Sequence, residues 1–269
     1  MIYDLHYGEL NFSHKLDESP SNGPDFDYHY HKYYEMLLLV QGDVNFVHET
    51  KCYSLNKGDL IFVKPGQNHN ISFNSFSPYE RYVLKFPETE IPKELQTIIH
   101  SKDGCYSVKN TVLFELFTRL DYHKQHYNGQ HLCELNKCVL REILFYFCLE
   151  QGTSAHLLSY NQTVTSLIEY IDEHIEEPIT ISGICQHFHF SKSYIYKVFL
   201  EEMNVSIMKY VRTKKIFHAD SLIKRGVKPT DAFSRCGFTE YTSFYRAYVK
   251  IIGHKPSLLD NMSPIVKKD

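Results

Sequence analysis

No stretch of this chain is apolar for long enough to cross a membrane as a helix. Runs such as Met36–Val40 have the length of a strand, far short of about 20 residues. The N-terminus does not resemble a secretion signal. The seven cysteines include no C-x-x-C pair, and an odd number leaves one over, so they read as free thiols in a reducing cytoplasm rather than a disulfide framework. Cys133 and Cys138 stand five apart on a predicted helix, which is no metal-ligand spacing, and read as core residues. A phosphate-binding glycine loop, a G-x-S-x-G elbow and a nucleophile constellation are all missing, so the expectation is a protein that is not an enzyme.

Net charge is also small, at −3 over 269 residues, but it hides a division. From Pro178 onward 15 Lys+Arg stand against 7 Asp+Glu, a balance of +8, whereas the remainder has 14 against 25, a balance of −11. A basic C-terminal part suits phosphate contacts, and an acidic N-terminal part would be repelled by DNA. The length leaves room for two domains, each with its own core.

Cys236–Gly253 is the most informative stretch. Gly237 can end one short helix in the left-handed conformation, Phe238 enters the core, and Thr239 can cap the next helix. Phe244, Tyr248 and Ile251 then make an apolar stripe, leaving Glu240, Tyr241, Thr242, Tyr245 and Arg246 on the outer face. Some fifty residues upstream the layout recurs, with Ser191 as cap, a stripe of Ile195, Val198 and Phe199, and Lys192, Ser193, Tyr196 and Lys197 outside. An amphipathic helix after a tight turn, polar on its outer N-terminal face, suits the major groove.

The last ninety or so residues resemble the tandem helix-turn-helix domain of AraC/XylS-type transcription regulators. Tyr210, Ala219, Leu222, Gly237–Phe238, Phe244, Arg246, Gly253 and Pro256 carry that resemblance. Departures are His189 for a glycine, Pro229 for an isoleucine, Ala232–Phe233 for Ile–Ala, and Asp260 for the closing arginine. Phe233 matters most, because an alanine there lets two helices pack closely.

Upstream, Met1 to about Ser21 reads as an arm of one or two short strands. Strand-like runs follow at Phe26–His31, Glu35–Val40, Val44–His48, Cys52–Leu55, Asp59–Val63, Asn70–Phe73 and Arg81–Phe86, separated by Gly/Pro/Asn turns. Many short strands predict a sandwich or barrel. Gly23, His29, His31, Glu35 and Gly42 match the first cupin motif, and Gly58, Gly66 and His69 resemble the second, with Lys64 in place of its proline. The resemblance implies a cupin-like sensor in which His29, His31, Glu35 and His69 line a ligand pocket; in enzymatic cupins those positions hold a metal. Imidazole and carboxylate donors suit iron, manganese, nickel or zinc, so a metal-binding cupin, enzyme or metal sensor, fused to a DNA-binding domain is the alternative. Tyr28 and Tyr30 alternate with the histidines and should face away from them, and the arm near Tyr3–Phe12 would fold over the mouth of the barrel.

From Lys109 the period becomes helical: Val112, Leu113, Leu116, Phe117 and Leu120 form one stripe, and Leu132, Leu135, Val139, Ile143, Leu144 and Phe147 another. A further helix, Thr163 to about Glu177, would open the C-terminal domain. The expected fold is therefore two-domain α+β. Residues 1–108 form a cupin-like barrel with its arm, 109–150 a helical pair that the resemblance makes the dimer interface and that otherwise packs only against the barrel, 151–162 a linker, and 163–269 an all-α domain with two helix-turn-helix motifs. The resemblance implies a cytoplasmic, homodimeric activator of transcription with no required cofactor. Its partners would be double-stranded DNA and a small effector, a carbohydrate by the aromatic and polar make-up of the barrel. RNA polymerase stays open as a further partner.

Overall fold

A computed structural model describes residues 2–20, 29–49, 51–149, 157–158, 161–203 and 205–257. Gly23, Tyr28 and Asp260 lie outside the described residues, as does most of the stretch read as a linker. The chain forms two compact units, Met1–Tyr160 and Asn161–Asp269.

The first unit is built on strands β1 (Tyr3–Tyr7), β2 (Leu10–Asp17), β3 (Tyr34–Gln41), β4 (Val44–His48), β5 (Lys51–Leu55), β6 (Asp59–Val63), β7 (His69–Phe73), β8 (Tyr79–Phe86), β9 (Gly104–Ser107) and β10 (Leu157–Leu158). They make a six-stranded sheet in the order β1-β2-β8-β3-β6-β9 and a four-stranded sheet in the order β10-β5-β4-β7. The sheets face each other across a core of Leu37, Leu39, Ile61, Val63 and Val83 from the first and Val44, Phe46, Tyr53 and Leu55 from the second. Strands β3 and β6 are apolar on both faces because both faces are covered. Met36, Leu38, Leu60 and Phe62 point away from the sandwich into a second core.

That second core is closed by helices α1 (Gln96–Ser101), α2 (Val112–His126) and α3 (Gly129–Leu149). Leu113, Leu116, Phe117 and Leu120 are fully buried, but Val112, at the first turn of α2, is exposed. On α3 the expected dimer stripe meets a different fate. Val139, Ile143 and Phe147 are buried against the sheet of their own chain, Phe147 lying 5.0 Å from the Phe62 ring and 4.8 Å from that of Tyr106. Periodicity reveals that a face is apolar, not which body covers it. Cys138, expected in the core, is exposed, and Cys133 is half-buried; none of the seven cysteines forms a disulfide.

The N-terminal segment is not a lid over the barrel mouth. Its alternation puts Leu10 and Phe12 on one face and Asn11 and Ser13 on the other, so β2 joins the sheet and pairs with β8 from Asn11↔Lys85 to Asp17↔Tyr79. One residue on this strand ties the sheet to α2. His14, 5 % exposed, stacks on Tyr82 with ring centroids 4.0 Å apart and lies between Glu80 (Nε2 to Oε1, 2.8 Å) and Asp121 (Nδ1 to Oδ1, 3.0 Å). Burial disfavours its charged form, but the hydrogen bonds and charges of Asp121 and Glu80 outweigh that and raise its pKa above 6.5. A group whose pKa rises on folding stabilises fully below its unfolded pKa, and loses that contribution as pH climbs through the folded value. The stability gap between the native protein and His14→Gln is therefore expected to be widest below about pH 6.5 and to narrow at higher pH. Urea titrations of both proteins across pH 6–9 check this; a gap independent of pH would show that the imidazolium charge is not what His14 contributes.

The second unit comprises α4 (Gln162–Glu173), α5 (Ile181–Phe188), α6 (Lys192–Met203), α7 (Ile207–Lys224), α8 (Pro229–Arg235) and α9 (Tyr241–Ile252). Helix α4 ends four residues earlier than its apolar stripe suggests, with His174 as C-cap. Ser191 caps α6 as expected, accepting from the Tyr194 N–H at 3.2 Å. Thr239 does not cap α9: the helix starts one residue later, with Glu240 as N-cap and no side-chain cap bond. Three family departures among the described residues are accommodated locally. His189 takes the left-handed conformation, φ 56°, that a glycine would occupy at less cost. Pro229 sits in the first turn of α8, where its missing N–H has no intrahelical role. Ala232 is fully buried in the core of the second module, while Phe233 packs edge-on to Tyr241 at 5.5 Å and tilted against Phe244 at 5.8 Å.

Candidate functional site

Two helix-turn-helix modules stand on either side of α7. In each, the second helix buries one stripe and presents the other. On α6 Ile195, Val198 and Phe199 are buried, while Lys192, Ser193 and Lys197 are exposed and Tyr196 is half-buried. The Lys192 ammonium lies 5.8 Å from the Tyr196 ring centroid, and Lys197 pairs loosely with Glu201 at 3.8 Å in full solvent. On α9 Phe244 and Tyr248 are buried, with Glu240, Tyr241, Thr242 and Arg246 exposed and Tyr245 half-buried. Every residue expected to face DNA is thus at the surface, on the N-terminal halves of the two helices and their caps, where free backbone N–H groups also favour phosphate.

The other cluster lies inside the first unit, where the loop before β3 meets β7. His29 and His69 exchange backbone hydrogen bonds of 3.1 and 3.0 Å, and the Gly66 N–H donates to the His31 carbonyl at 2.9 Å, so the two motif segments are held together by main chain. His31 Nε2 approaches Glu35 Oε2 to 2.9 Å, and the His69 ring lies 4.9 Å from that of His31. One donor atom from each of His31, Glu35 and His69 lies within 4.8 Å of the others. His29 is placed differently: it is exposed, outside a regular strand, and its ring stands 4.3 Å from that of His69. Three of the four expected residues therefore converge.

Their protonation follows from their partners. Nδ1 of His31 lies 2.9 Å from the Tyr33 carbonyl, and Nδ1 of His69 lies 3.1 Å from the Gln67 carbonyl. A carbonyl can only accept, so each Nδ1 donates to its carbonyl and both Nε2 atoms turn inward, that of His31 donating to the Glu35 carboxylate. Burial holds the His69 pKa well below its ordinary range against the pull of Glu35, which keeps the imidazole neutral and Nε2 bare. That nitrogen is buried and has no hydrogen-bond partner among the described residues. Glu35 is 4 % exposed; burial would raise its pKa, but Lys85, then His31 and His69, hold the carboxyl well below the ordinary range. Lys85 Nζ sits 2.9 Å from Glu35 Oε2.

Two family models match the chain: an AraC-like ligand binding domain over residues 17–132 and a helix-turn-helix domain over residues 184–261. The chain belongs to the AraC family of transcription regulators. Among curated relatives it is 22 % identical to the uncharacterised HTH-type transcriptional regulator YbfI of Bacillus subtilis, over 80 % of either chain. It is 21 % identical to the probable transcriptional regulator LumQ of Photobacterium leiognathi, over 86 % of this chain and 90 % of that one. The regulatory protein SoxS of Salmonella typhimurium matches 37 % of this chain, at 26 % identity over 94 % of its own length. Among solved structures, ToxT from Vibrio cholerae covers 93 % of this chain and 96 % of its own, at 16 % identity and a TM-score of 0.38.

In this AraC-family regulator the ligand-binding unit is the N-terminal one and the DNA-binding unit the C-terminal one. Among the described residues no helix is long and apolar enough to cross a membrane. Counted over the whole second unit the charge balance is +3 rather than +8, because residues 161–177 add five acids. Two of those acids are already engaged: Asp172 pairs with Lys214 at 3.0 Å, and Glu176 with Arg235 at 3.1 Å.

Lys85 is the residue of the interior site that the sequence reading missed. It lies fifty residues from Glu35 and meets it only through the β3–β8 register, Glu35↔Lys85. The available signal was alternation: Lys85 shares its strand face with Val83, which is core. The same register continues the polar row to Asn11 on β2.

Proposed function

We propose that the regulator is a cytoplasmic homodimeric activator that lays α6 and α9 into successive major grooves, roughly 34 Å apart along one DNA face, and answers to a small molecule at His31, Glu35 and His69. Arg246 reads guanine through a bidentate contact, Lys197 or Tyr196 does the corresponding work in the first module, and the other exposed polar residues of α6 and α9 position the phosphates. RNA polymerase is the partner that an activator bound beside a promoter would meet. Dimer formation falls to the face of α3 turned away from the sheet, where Phe145, Tyr146 and Leu149 are exposed together.

The observation that carries the effector half is the bare, buried Nε2 of His69. An unpaired polar atom at such a depth is costly unless something meets it. With Lys85 as donor and Glu35 and His69 as acceptors, the site suits a compound whose hydroxyls both donate and accept, and a sugar is the class we favour. The interior aromatics Phe46, Tyr53 and Tyr79 are packed in the core, so polar contacts rather than ring stacking would hold it.

A second reading is a divalent metal. Its support is the donor set itself: two inward Nε2 atoms, each oriented by an Nδ1–H bond to a backbone carbonyl, beside one carboxylate. His31, Glu35 and His69 would hold the ion, which would supply positive charge to anchor a ligand oxygen. Lys85 already neutralises Glu35 and works against this reading.

A thermal-shift screen of sugars, polyols and divalent cations, with elemental analysis of the purified protein, separates the two. A sugar at a hundred times its Kd should stabilise the chain by about 2.7 kcal/mol, raising Tm by roughly 5–10 °C. The shift should vanish in His31→Ala and Glu35→Ala while DNA affinity without effector is unchanged. A metal would give about one ion per chain, lost in both variants. Folded variants that respond fully would place sensing elsewhere.

A further inference from the structure

We propose that Lys215, which stands on α7 and on neither recognition helix, is the positioning residue that sets their spacing; this rests on the reading that α6 and α9 engage DNA together. The second module is fastened to the C-terminal half of α7: Ile216, Ala219 and Ile223 share a core with Phe244 and Tyr248, and the Tyr248 hydroxyl donates to Asp220. The first module reaches α7 from the other side, through the ring of Phe199 against Tyr210 and through the connection between α4 and α5. Lys215 stands where that connection meets the second module.

Although cationic, Lys215 is only 4 % exposed. Its ammonium donates to the carbonyl of Glu177, just ahead of α5, and at 2.8 Å to that of Cys236, the C-cap of α8. A C-terminal helix carbonyl such as that of Cys236 has no partner in its own helix, and one ammonium with several donors can serve it and a loop carbonyl at once. The main chains touch at the same point. A Cβ on Gly237 would lie 2.8 Å from both the carbonyl carbon and oxygen of Glu177 and 2.9 Å from the Lys215 ammonium. Glycine is needed here for close approach as well as for its left-handed φ of 63°. On the solvent side Glu176 repeats the link, reaching Arg235 of α8 at 3.1 Å and His218 of α7 at 2.9 Å. Both modules are thus referred to a single nitrogen in the middle of α7, through carbonyls at Glu177 and Cys236 that precede the turn into each reading helix.

Two linked modules gain affinity over one only when their separation matches the spacing of their targets. The test uses the full chain and a DNA site selected from random sequence, with versions carrying one base pair inserted between the two contacted segments or one segment scrambled. Native protein should bind the intact site at least tenfold better than the one-base-pair insertion. Lys215→Met should lose tenfold or more on the intact site, lose less than threefold on the scrambled site, and discriminate spacing several-fold less. Lys215→Arg, which keeps the charge and donors, should restore the spacing preference. Where Lys215→Met fails to fold, Lys215→Gln, able to serve one carbonyl, gives the same comparison. A Lys215 variant that melts earlier but keeps full spacing discrimination, or loses affinity equally on every DNA, overturns the positioning role alone. Native protein indifferent to spacing overturns the two-helix reading, and the positioning role with it.

Discussion

Between 50 and 200 mM salt the affinity of the full chain for its selected DNA site is expected to fall by three orders of magnitude or more. Such a loss corresponds to six to ten phosphates neutralised, each releasing condensed counterions. The surface supplies the groups: Lys192, Lys197, Arg246 and Lys250 are exposed on the two recognition helices, together with the open N-termini of those helices. The modest charge of the whole unit does not weaken the expectation, because the acids of residues 161–177 include Asp172 and Glu176, which are paired within the protein. Within the same experiment, Arg246→Ala should cost about 1–3 kcal/mol on the selected site and relax the preference at one base position. Equal losses on selected and random DNA would make Arg246 a phosphate contact, and a salt slope near zero would remove DNA binding from these faces altogether.

The second large effect separates the two faces of α3. Phe147→Ala should destabilise the first unit by about 3–5 kcal/mol, since a fully buried ring between Phe62 and Tyr106 leaves a cavity behind. Its sedimentation mass should not change. Phe145→Glu combined with Leu149→Glu should do the reverse, halving the mass while leaving the chain folded, because both side chains are at the surface. Denaturant titration and sedimentation of each variant read both effects. An unchanged mass in the double variant would move the dimer contact off α3, and an undisturbed Phe147→Ala would deny that the helix is fastened to the sheet.

The predicted bounds of two strands agree with the structure to the residue. Val44–His48 and Asp59–Val63 are framed by Gly42-Asp43, Asn56-Lys57-Gly58 and Lys64-Pro65-Gly66, and turn chemistry of that kind is local. Strand β9 escaped because Gly104–Ser107 has four residues and no alternation to read, and β10 has only two. The apolar stripes of α6 and α9 were legible for the same reason as the stripe on α3, yet only α3 was given the wrong neighbour. A helix in a tandem motif has its packing partner close by in sequence, whereas α3 buries its stripe on strands as distant as that of Phe62, 85 residues before Phe147. The interior site divides in the same manner. His31, Glu35 and His69 sit in motifs with readable spacing, but Lys85 and Lys215 act through register and through a crossing of main chains. No local pattern encodes either.

Strands β3 and β6 belong to two hydrophobic cores at once, with Leu37, Leu39, Ile61 and Val63 on one side and Met36, Leu38, Leu60 and Phe62 on the other. A gene rearrangement that kept the sandwich and discarded α2 and α3 would strip a whole sheet face to water, along with Leu84 and Phe86 beside it. The sandwich and its helical pair can therefore be inherited, shuffled or grafted onto another reader of DNA only as one cassette, cut at the joint between Tyr160 and Asn161.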